Sequence, residues 1–425
     1  MEPPIDPMPP GAGFALPWDD AAAPDPVAAL GDARARLGNT FAVTSGADTY
    51  LFVFAPAALR AFYAVPERQA SKGLADYQML VRKMPDELFA GPRTFAHDLF
   101  GAQEVEGYLG HLDHALDLEL AALGDSGTLD AFAFSRRVGH RLGLACWIGD
   151  EAAESPWFER LVADLDQLDG AEAFVHPERM GGVGSDDRRA ERAALARFET
   201  TVGELLARRA PEGFVAEIVS RWSDVDEPEH TQGVARDIAL LHTATMTNLF
   251  AALGWTLAQL VLDPDLTARA TGDRAQLERC ALESIRLGQR SVMLRSVLRE
   301  FTFDDGATAY RLAPGVKLAT MLPLTNTTAA PGLETYDPER WSGRRLRDEA
   351  ALPAAEMVTT FGHGAHRCPA QRFSMSAIVR TVGRLLATYD LAPEFAAVTP
   401  LPGQIGGVGR AAAPCPIAYR RRGSA

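Results

Sequence analysis

The sequence reads Phe361-Gly-His-Gly-Ala-His-Arg-Cys368 near its C-terminal end, and no other stretch constrains its fold and chemistry so tightly. Pro369 follows directly and suits the first position of a helix, where a backbone N–H would have no partner in any case. Apolar residues then recur at near-helical spacing, at Phe373, Ile378, Val382 and Leu385. The pattern predicts a cysteine in a tight loop before a buried helix, where unpaired amides and the helix dipole favour a thiolate.

Three interpretations of Cys368 follow from the residues alone. A cysteine before an apolar helix is often just a small buried hydrophobe. A metal site that also used His363 and His366 would need a fourth ligand, whereas the other cysteines of the chain stand alone. In the third interpretation the cysteine is a thiolate ligand beneath a flat ring, which Gly362 and Gly364 would let the loop approach closely.

The pattern Phe-x-x-Gly-x-x-x-Cys, formed by Phe361, Gly364 and Cys368, resembles the haem-binding loop of the cytochrome P450 family. Two more motifs of that family precede it in the family's order, Glu283-Ser-Ile-Arg286 and Pro338-Glu339-Arg340-Trp341. Each short motif alone carries little weight, and their order and spacing support the resemblance. It is strongest from about residue 237 to residue 390.

The resemblance implies a haem b whose iron is bound by the thiolate of Cys368. In the family, a Glu and two Arg form a buried network that holds the loop under the haem, and Arg340 would be the second of these Arg. An exposed helix pair is the alternative for the Glu and the first Arg, but their apolar neighbours favour the buried network. The residues implied to support the haem in this way are Phe361, Gly362, Glu283 and Arg286.

Arg295 lies in an apolar, β-branched run that predicts a strand. Its distance from Glu283 resembles that of the family's propionate-binding Arg, which would contact a carboxylate through two hydrogen bonds. A surface Arg is the alternative. His366 could reach a carboxylate at the edge of the ring, and His111 and His114 are candidates for part of a second propionate site.

The rest of the chain predicts a mostly helical protein with small β-sheets, an α+β arrangement like the cytochrome P450 fold with one large helical unit around a buried haem. Helical spacing covers residues 105–123, 130–148, 186–209 and 234–262, the last ended by Pro264. Strands are expected at residues 40–54, 291–303 and 315–321. The 425 residues show no linker or repeat, so we expect one catalytic domain at residues 21–425 after a flexible Pro/Ala-rich segment at residues 1–20.

The composition of the chain limits which binding partners and which cellular compartment are expected. The net charge of −14 argues against nucleic acid, whose binding is dominated by clustered Lys and Arg. Residues 1–20 have neither a basic region nor a long apolar run, so we expect no signal peptide, no membrane anchor and a cytoplasmic protein. Four cysteines without paired spacing suit a reducing compartment. The use of Arg in place of Lys favours a GC-rich bacterial source.

The long helix departs from the family. Where a typical member has an acid followed by an alcohol, which help to deliver protons to dioxygen, this chain has Thr247 and Asn248. An amide does not ionise, so we expect Asn248 to impair proton relay while still able to orient a peroxide, an N–O group or a carbonyl. Thr243, Thr245 or Thr247 with ordered water could supply a substitute relay.

Two reactions stay open. The first is a haem-thiolate monooxygenase that oxidises a small or medium apolar metabolite in bacterial specialised metabolism, with electrons from a ferredoxin and an NAD(P)H-dependent ferredoxin reductase. The second rearranges, dehydrates or transfers a group from a substrate with its own O–O or N–O bond. A non-catalytic haem sensor is a third interpretation.

An acidic partner protein could dock on basic residues near the Cys loop, although a solvated charged surface explains these residues equally well. The residues are Arg344, Arg345, Arg347, Arg367 and Arg372.

Overall fold

The structure is a computed structural model of the 425-residue chain. It describes residues 5–6, 8–16, 23–92, 94, 96–169, 175–179, 183–184, 186–342 and 352–423. Three residues of the expected docking surface, Arg344, Arg345 and Arg347, lie outside the described residues.

The described helices are α1 (Pro26–Leu37), α2 (Pro56–Ala64), α3 (Lys72–Leu80), α4 (Ala96–Leu99), α5 (Ala102–Leu123), α6 (Ala131–Trp147), α7 (Trp157–Leu168), α8 (Arg189–Leu206), α9 (Gly213–Arg221), α10 (Glu229–Val261), α11 (Pro264–Ala270), α12 (Arg274–Gly288), α13 (Leu322–Thr328) and α14 (Gln371–Thr388). Short 3-10 helices cover Asp86–Phe89, Asp150–Ala153, Pro177–Arg179, Pro338–Trp341, Ala355–Met357 and Gly364–His366. The four helices expected from periodicity are confirmed as α5, α6, α8 and α10.

The strands of the described residues form three small sheets. The strands are β1 (Ile5–Asp6), β2 (Thr40–Ser45), β3 (Asp48–Val53), β4 (Ala70–Ser71), β5 (Ser126–Asp130), β6 (Val292–Val297), β7 (Phe301–Asp304), β8 (Ala309–Leu312), β9 (Lys317–Met321), β10 (Tyr389–Pro393) and β11 (Pro416–Arg421). The largest sheet has the order β2-β3-β9-β6-β4, and the others have the orders β10-β11-β5 and β1-β8-β7. The predicted α+β class is confirmed, although turns split the first two expected strand regions into β2 with β3 and β6 with β7.

Aspartate caps set where several helices begin. The carboxylates of Asp130 and Asp263 accept hydrogen bonds from backbone N–H groups in the first turns of α6 and α11, which satisfies donors that have no partner within the helix. Helix α10 ends at Val261, and Pro264 takes the first position of α11. The predicted end of the long helix is therefore confirmed.

Part of the expected flexible N-terminal segment is folded. The N–H of Ala12 donates to the carbonyl of Ala42 on β2 at 2.8 Å, and the N–H of Ala42 donates to Pro10 at 3.0 Å. Leu16 has no exposed surface. These residues therefore contact a distant strand, which the expectation of a flexible segment at residues 1–20 did not include.

Helix α10 runs through the largest hydrophobic core and packs closely on α6. The approach is possible because small residues lie at the crossing. A Cβ at Gly143 of α6 would lie 2.7 Å from the ring of His242 and 2.9 Å from Cγ of Met246, and a Cβ at Gly254 of α10 would lie 2.7 Å from the ring of Phe132. No single helix in the described ranges is long and apolar enough to cross a membrane.

Helix α14 buries the predicted stripe but begins two residues later than expected. Phe373, Ile378, Val382 and Leu385 are all at most 1% exposed. Pro369 was expected to be the first helical residue, whereas the helix begins at Gln371. The N–H of Gln371 donates to the carbonyl of Cys368 at 3.4 Å, so a tight turn separates the loop from the helix.

Candidate functional site

The loop before Cys368 is closed by a backbone hydrogen bond. The N–H of Cys368 donates to the carbonyl of Phe361 at 2.7 Å. Gly362 and Gly364 have φ values of +80° and +56°, a region in which residues with a Cβ are strained. A Cβ at Gly362 would also lie 2.5 Å from the carbonyl oxygen of His366. Glycine is thus needed at Gly362 for both its backbone angle and the closeness of the turn.

The Cys368 side chain is half-buried at the end of this loop. Burial raises the pKa of its thiol, whereas a backbone hydrogen bond at Ala370 and the charge of Lys72 act to lower it. The amide at the start of the helix therefore favours the thiolate as predicted, but desolvation is the larger effect. A bound metal ion would reverse the balance, because a coordinating thiol is deprotonated outright.

The two histidines of the loop point to protein partners. Nε2 of His363 lies 3.1 Å from the carbonyl oxygen of Val358, and Nε2 of His366 lies 2.8 Å from Nη1 of Arg295. Across the part of the chain that the structure describes, no group of three or more His, Cys, Asp or Glu side chains is placed to hold a metal ion. A site that combines these histidines with Cys368 is not formed.

The structure brings together Arg295 and His366, which the sequence had assigned separately to a carboxylate at the edge of the ring. Arg295 is 1% exposed and lies on β6. Burial, and then the charge of Arg295, lower the pKa of His366, so the neutral imidazole accepts from the guanidinium. A carboxylate oxygen of Glu67 lies 3.3 Å from each of these side chains. The pair and its carboxylate form a charged cluster beside the Cys368 loop.

Arg295 also donates to backbone carbonyls of the chain between α2 and α3. Its guanidinium binds the carbonyls of Phe62, Val65 and Ala70. A surface Arg is therefore excluded. The five N–H donors of the guanidinium are engaged by these carbonyls, by His366 and by Glu67, so a further carboxylate would have to replace one of these partners.

Glu283 and Arg286 form the predicted buried network. Both side chains are fully buried, and two hydrogen bonds of 2.7 Å and 2.8 Å join them. Nε of Arg340 lies 3.5 Å from Glu283, the indole N–H of Trp341 donates to the same carboxylate at 3.0 Å, and the N–H of Asp337 donates to it at 3.1 Å. The Pro338–Trp341 segment therefore covers the Glu283–Arg286 pair. The alternative interpretation, an exposed pair on the helix surface, is wrong.

Asn326 and Thr359 connect this network to the Cys loop, and sequence reasoning missed both. The amide of Asn326 donates to the carbonyls of Arg286 and Thr359 at 3.0 Å and 2.9 Å, and its oxygen accepts from the N–H of Thr359 at 2.8 Å. The Thr359 hydroxyl in turn accepts from the N–H of Gly362 at 2.7 Å. No short motif marks either residue, and only the burial of a polar Asn in the folded protein reveals its role.

The long helix α10 opens on one face. Between His230 and Val261, all of which the structure describes, only Ala244 and Asn248 are exposed. Residues four apart lie on the same face of a helix, and the neighbours Met246 and Leu249 are buried. An exposed face in the middle of a buried helix is expected of a helix that lines a site.

The two predicted catalytic residues on this helix have defined partners. The hydroxyl of Thr247 donates to the carbonyl of Thr243 at 2.6 Å, within the helix. The side-chain oxygen of Asn248 accepts from the N–H of Val408 at 2.8 Å. The proton of Thr247 is therefore committed to the helix backbone, and Asn248 is held by the C-terminal part of the chain.

A short series of contacts connects Asn248 with the Cys loop. Val408 pairs with Gln289 in an antiparallel bridge. The side chain of Gln289 donates to the carbonyl of Thr360 at 3.1 Å, immediately before Phe361. The open face of α10, the C-terminal segment and the Cys loop therefore belong to one region of the fold.

Three other candidates fall outside this region. His111 and His114 lie 2.6 Å and 3.2 Å from the carboxylates of Asp150 and Glu154. Both histidines therefore have partners in the segment after α6 and not in the Cys loop. The exposed side chain of Arg372 lies 3.7 Å from Glu106 on α5. That carboxylate reduces the positive charge available to an acidic partner at this position.

A groove of about 260 Å³ lies elsewhere in the molecule. Leu294 and Lys317 line it, and they lie on the opposite face of the largest sheet from Arg295, because successive strand residues point to opposite faces. It contains none of the candidate site residues, so the groove is separate from the site.

Comparison with known proteins gives limited similarity. No protein-family profile matches the chain. Two proteins of Postia placenta, named cytochrome P450 monooxygenase 71 and cytochrome P450 monooxygenase 110, are each 25% identical to it over 171 residues. The match covers 39% of this chain and 34% of each relative, so the chain spans about a third of the length of the curated relatives it matches. The names of both relatives and the resemblance of the three motifs support a relationship to the cytochrome P450 family.

Proposed function

We propose that this protein is a haem-thiolate oxidoreductase, a monooxygenase that oxidises a small or medium apolar metabolite in bacterial specialised metabolism. The single observation that carries the proposal is the rigid connection from the buried Glu283–Arg286 pair through Asn326 and Thr359 to the Cys368 loop. Such a connection is suited to presenting one cysteine at a fixed place. An isolated buried cysteine would need no such support.

The residues of the site fit a haem. The glycines of the loop would allow a flat ring to approach, and the half-buried Cys368 would bind the haem iron through its thiolate. Arg295 and His366 would hold a propionate in place of their present contact with each other. When bound, a haem with a thiolate ligand supplies the electron density that favours O–O cleavage.

The protein part of the reaction is binding and orientation. The open face of α10 at Ala244 and Asn248 would position an apolar substrate, and the buried residues around it would keep bulk water away. Electrons would come from a ferredoxin and an NAD(P)H-dependent ferredoxin reductase. We place residues 21–425 in one catalytic domain and the protein in the cytoplasm, where its four free cysteines would remain reduced.

Carbon monoxide binding to the reduced, haem-loaded protein tests this proposal. We expect the strongly red-shifted Soret band that thiolate ligation produces, and we expect Cys368→Ala to abolish it. Cys415→Ala is the matched control, because Cys415 is also free but lies beside Asp130, the residue that caps α6. A Cys368→Ala protein that kept the red-shifted band would overturn the assignment of Cys368.

A second function is favoured by the partners of Thr247 and Asn248. The hydroxyl proton of Thr247 is bonded within the helix, and the amide of Asn248 does not ionise, so neither residue supplies a proton relay as it stands. A substrate that carries its own O–O or N–O bond would need no such relay. The second function is therefore a rearrangement, a dehydration or a group transfer on such a substrate.

Omission of the electron donors separates the two functions. Turnover of a peroxide-bearing or N–O-bearing substrate without ferredoxin and reductase supports the second function. Turnover of an apolar substrate that depends on both electron donors and on dioxygen supports the first.

A further inference from the structure

We infer that Asn248 presents its amide N–H group as a fixed hydrogen-bond donor on the open face of α10, so that the preferred substrate carries a carbonyl oxygen beside its reacting position. The inference rests on the proposed function and narrows its substrate class. It depends on which atom of the amide faces the open side, and the contacts of Asn248 decide this.

The orientation of the amide is settled by its partner. The N–H of Val408 lies 2.8 Å from Oδ1 of Asn248. A backbone N–H is only a donor, so the acceptor that faces it must be the amide oxygen and not the nitrogen. The ambiguity between oxygen and nitrogen that usually affects Asn side chains is therefore removed. The nitrogen then lies on the other side of the amide, with its two N–H groups.

The partner of Asn248 is itself held in place. The turn that contains Val408 is bonded to the end of α12: the N–H of Gly409 donates to the carbonyl of Gly288 at 2.7 Å, and the N–H of Arg290 donates to the carbonyl of Gly407 at 2.8 Å. The indole of Trp255 on α10 also donates to the carbonyl of Gly409 at 2.6 Å. The turn therefore cannot move away from α10 and α12 without breaking several hydrogen bonds.

The fit between the turn and Asn248 is also close. Gly407 has a φ of +64°, and a Cβ at this position would lie 2.7 Å from Oδ1 of Asn248. Arg410 extends the same contact, because its guanidinium donates to the carbonyl of Thr247 at 3.0 Å. The amide oxygen is thus enclosed by the turn, while Asn248 as a whole stays exposed. No described residue accepts a hydrogen bond from its Nδ2.

A fixed donor selects for an acceptor. Thr247 commits its proton to the carbonyl of Thr243. The NH2 group of Asn248 is a donor on the open face of α10 that no described residue engages. A ligand with a carbonyl at this place would satisfy it, whereas an isosteric ligand with a methylene group would leave it without a partner and would be bound less tightly.

Three pairs of ketones and methylene isosteres test the inference. The pairs are cyclohexanone with methylenecyclohexane, acetophenone with α-methylstyrene, and adamantanone with methyleneadamantane. Each is titrated into the haem-loaded protein while the Soret band is followed, which measures binding and not turnover. We expect the ketone to bind about five- to tenfold more tightly in at least one pair, the effect of one neutral hydrogen bond.

Two variants test the role of the amide. Asn248→Asp keeps an oxygen for the N–H of Val408 but replaces the NH2 group by a second acceptor, and we expect it to lose or reverse the preference. Asn248→Leu removes both groups and should also lose it. Equal affinity within every pair, the absence of binding by all six compounds, or a preference that persists in both variants would overturn the inference.

The proposed function and the role of Asn248 can be overturned separately. If the reduced protein with carbon monoxide lacks the thiolate-type Soret band, the proposed function fails. If the band is present and the ketones are not preferred, only the role of Asn248 fails.

Discussion

The carboxylate of Glu283 and the guanidinium of Arg286 meet through hydrogen bonds of 2.8 Å and 2.7 Å, and neither side chain has exposed surface. Arg286 also donates to the carbonyls of Asn326 and Leu333 at 2.7 Å and 2.6 Å. The charges are thus fully paired inside the protein, next to the chain that leads to the Cys loop. Loss of one partner would leave the other charge buried and uncompensated.

We therefore predict that Glu283→Ala lowers the free energy of unfolding by about 3 to 5 kcal/mol, the usual effect of breaking a buried ion pair. Urea unfolding followed by circular dichroism measures it. Glu278→Ala is the control, because Glu278 pairs with Arg274 on the exposed side of the same helix, and it should cost less than about 0.5 kcal/mol. Equal losses in the two variants would contradict the structural role of the pair.

Asn326→Ala should loosen the Cys loop. It removes the hydrogen bonds to Arg286 and Thr359 and leaves buried backbone groups without partners, which costs about 1 to 3 kcal/mol. We expect faster loss of haem from the loaded protein, measured by transfer to an excess of a haem-scavenging globin. Asn39→Ala is the matched control, because Asn39 accepts from Arg34 at an exposed position. Unchanged haem retention in Asn326→Ala would argue against the connection.

Two glycines in helix interiors should respond to alanine with opposite signs. Gly143→Ala places a methyl group 2.7 Å from the His242 ring, and we predict a loss of about 1 to 3 kcal/mol from overpacking. Gly110 on α5 has no atom within 4 Å of an added Cβ, so Gly110→Ala should stabilise the protein by about 0.5 to 1 kcal/mol through the unfolded state. Thermal unfolding of the two variants compares them directly, and the same sign in both would count against the close crossing of α6 and α10.

The stacked pair of His140 and His242 predicts how stability changes with pH. Nδ1 of His140 and Nε2 of His242 are 3.0 Å apart inside the core. Burial lowers the pKa of both, although Asp166 acts to raise and Arg136 to lower each value. The folded state therefore binds fewer protons than the unfolded state below about pH 6.5. The stability contributed by the neutral pair is present above that pH and is lost as the pH falls through it.

Urea unfolding between about pH 7.5 and about pH 5.5 checks this expectation. Each buried histidine adds a slope of up to about 1.4 kcal/mol per pH unit, and His242→Leu should remove one of the two contributions. An identical slope in the wild type and the variant would show that these rings do not control the pH dependence.

Features set by residues close together in the sequence were predictable, whereas contacts between residues far apart in the sequence were not. The buried stripe of α14 and the Glu283–Arg286 pair follow local spacing, and both are confirmed. The strand that carries Arg295 was also predicted and is confirmed, whereas the contact of Arg295 with His366 was not anticipated. In contrast, Asn248 and Val408 are 160 residues apart, and no local pattern connects them.

Two differences from the sequence predictions have separate causes. Pairing of residues 10–12 with β2 is set by backbone hydrogen bonds to a distant strand, and the later start of α14 by a local turn in which Gln371 donates to Cys368. His140 and His242 likewise meet only because α6 and α10 cross at Gly143. Local propensity therefore predicted the helices and strands. The polar contacts between them could be identified only in the folded structure.

The C-terminal turn has a consequence for how the protein matures. Asn248 is synthesised 160 residues before Val408, the residue that orients it, and β11, which pairs with β5, comes later still. The residues of the Glu283–Arg286 pair and of the Cys368 loop precede that turn in the sequence. Ribosomal synthesis therefore delivers the support of the cysteine before the segment that orients the amide.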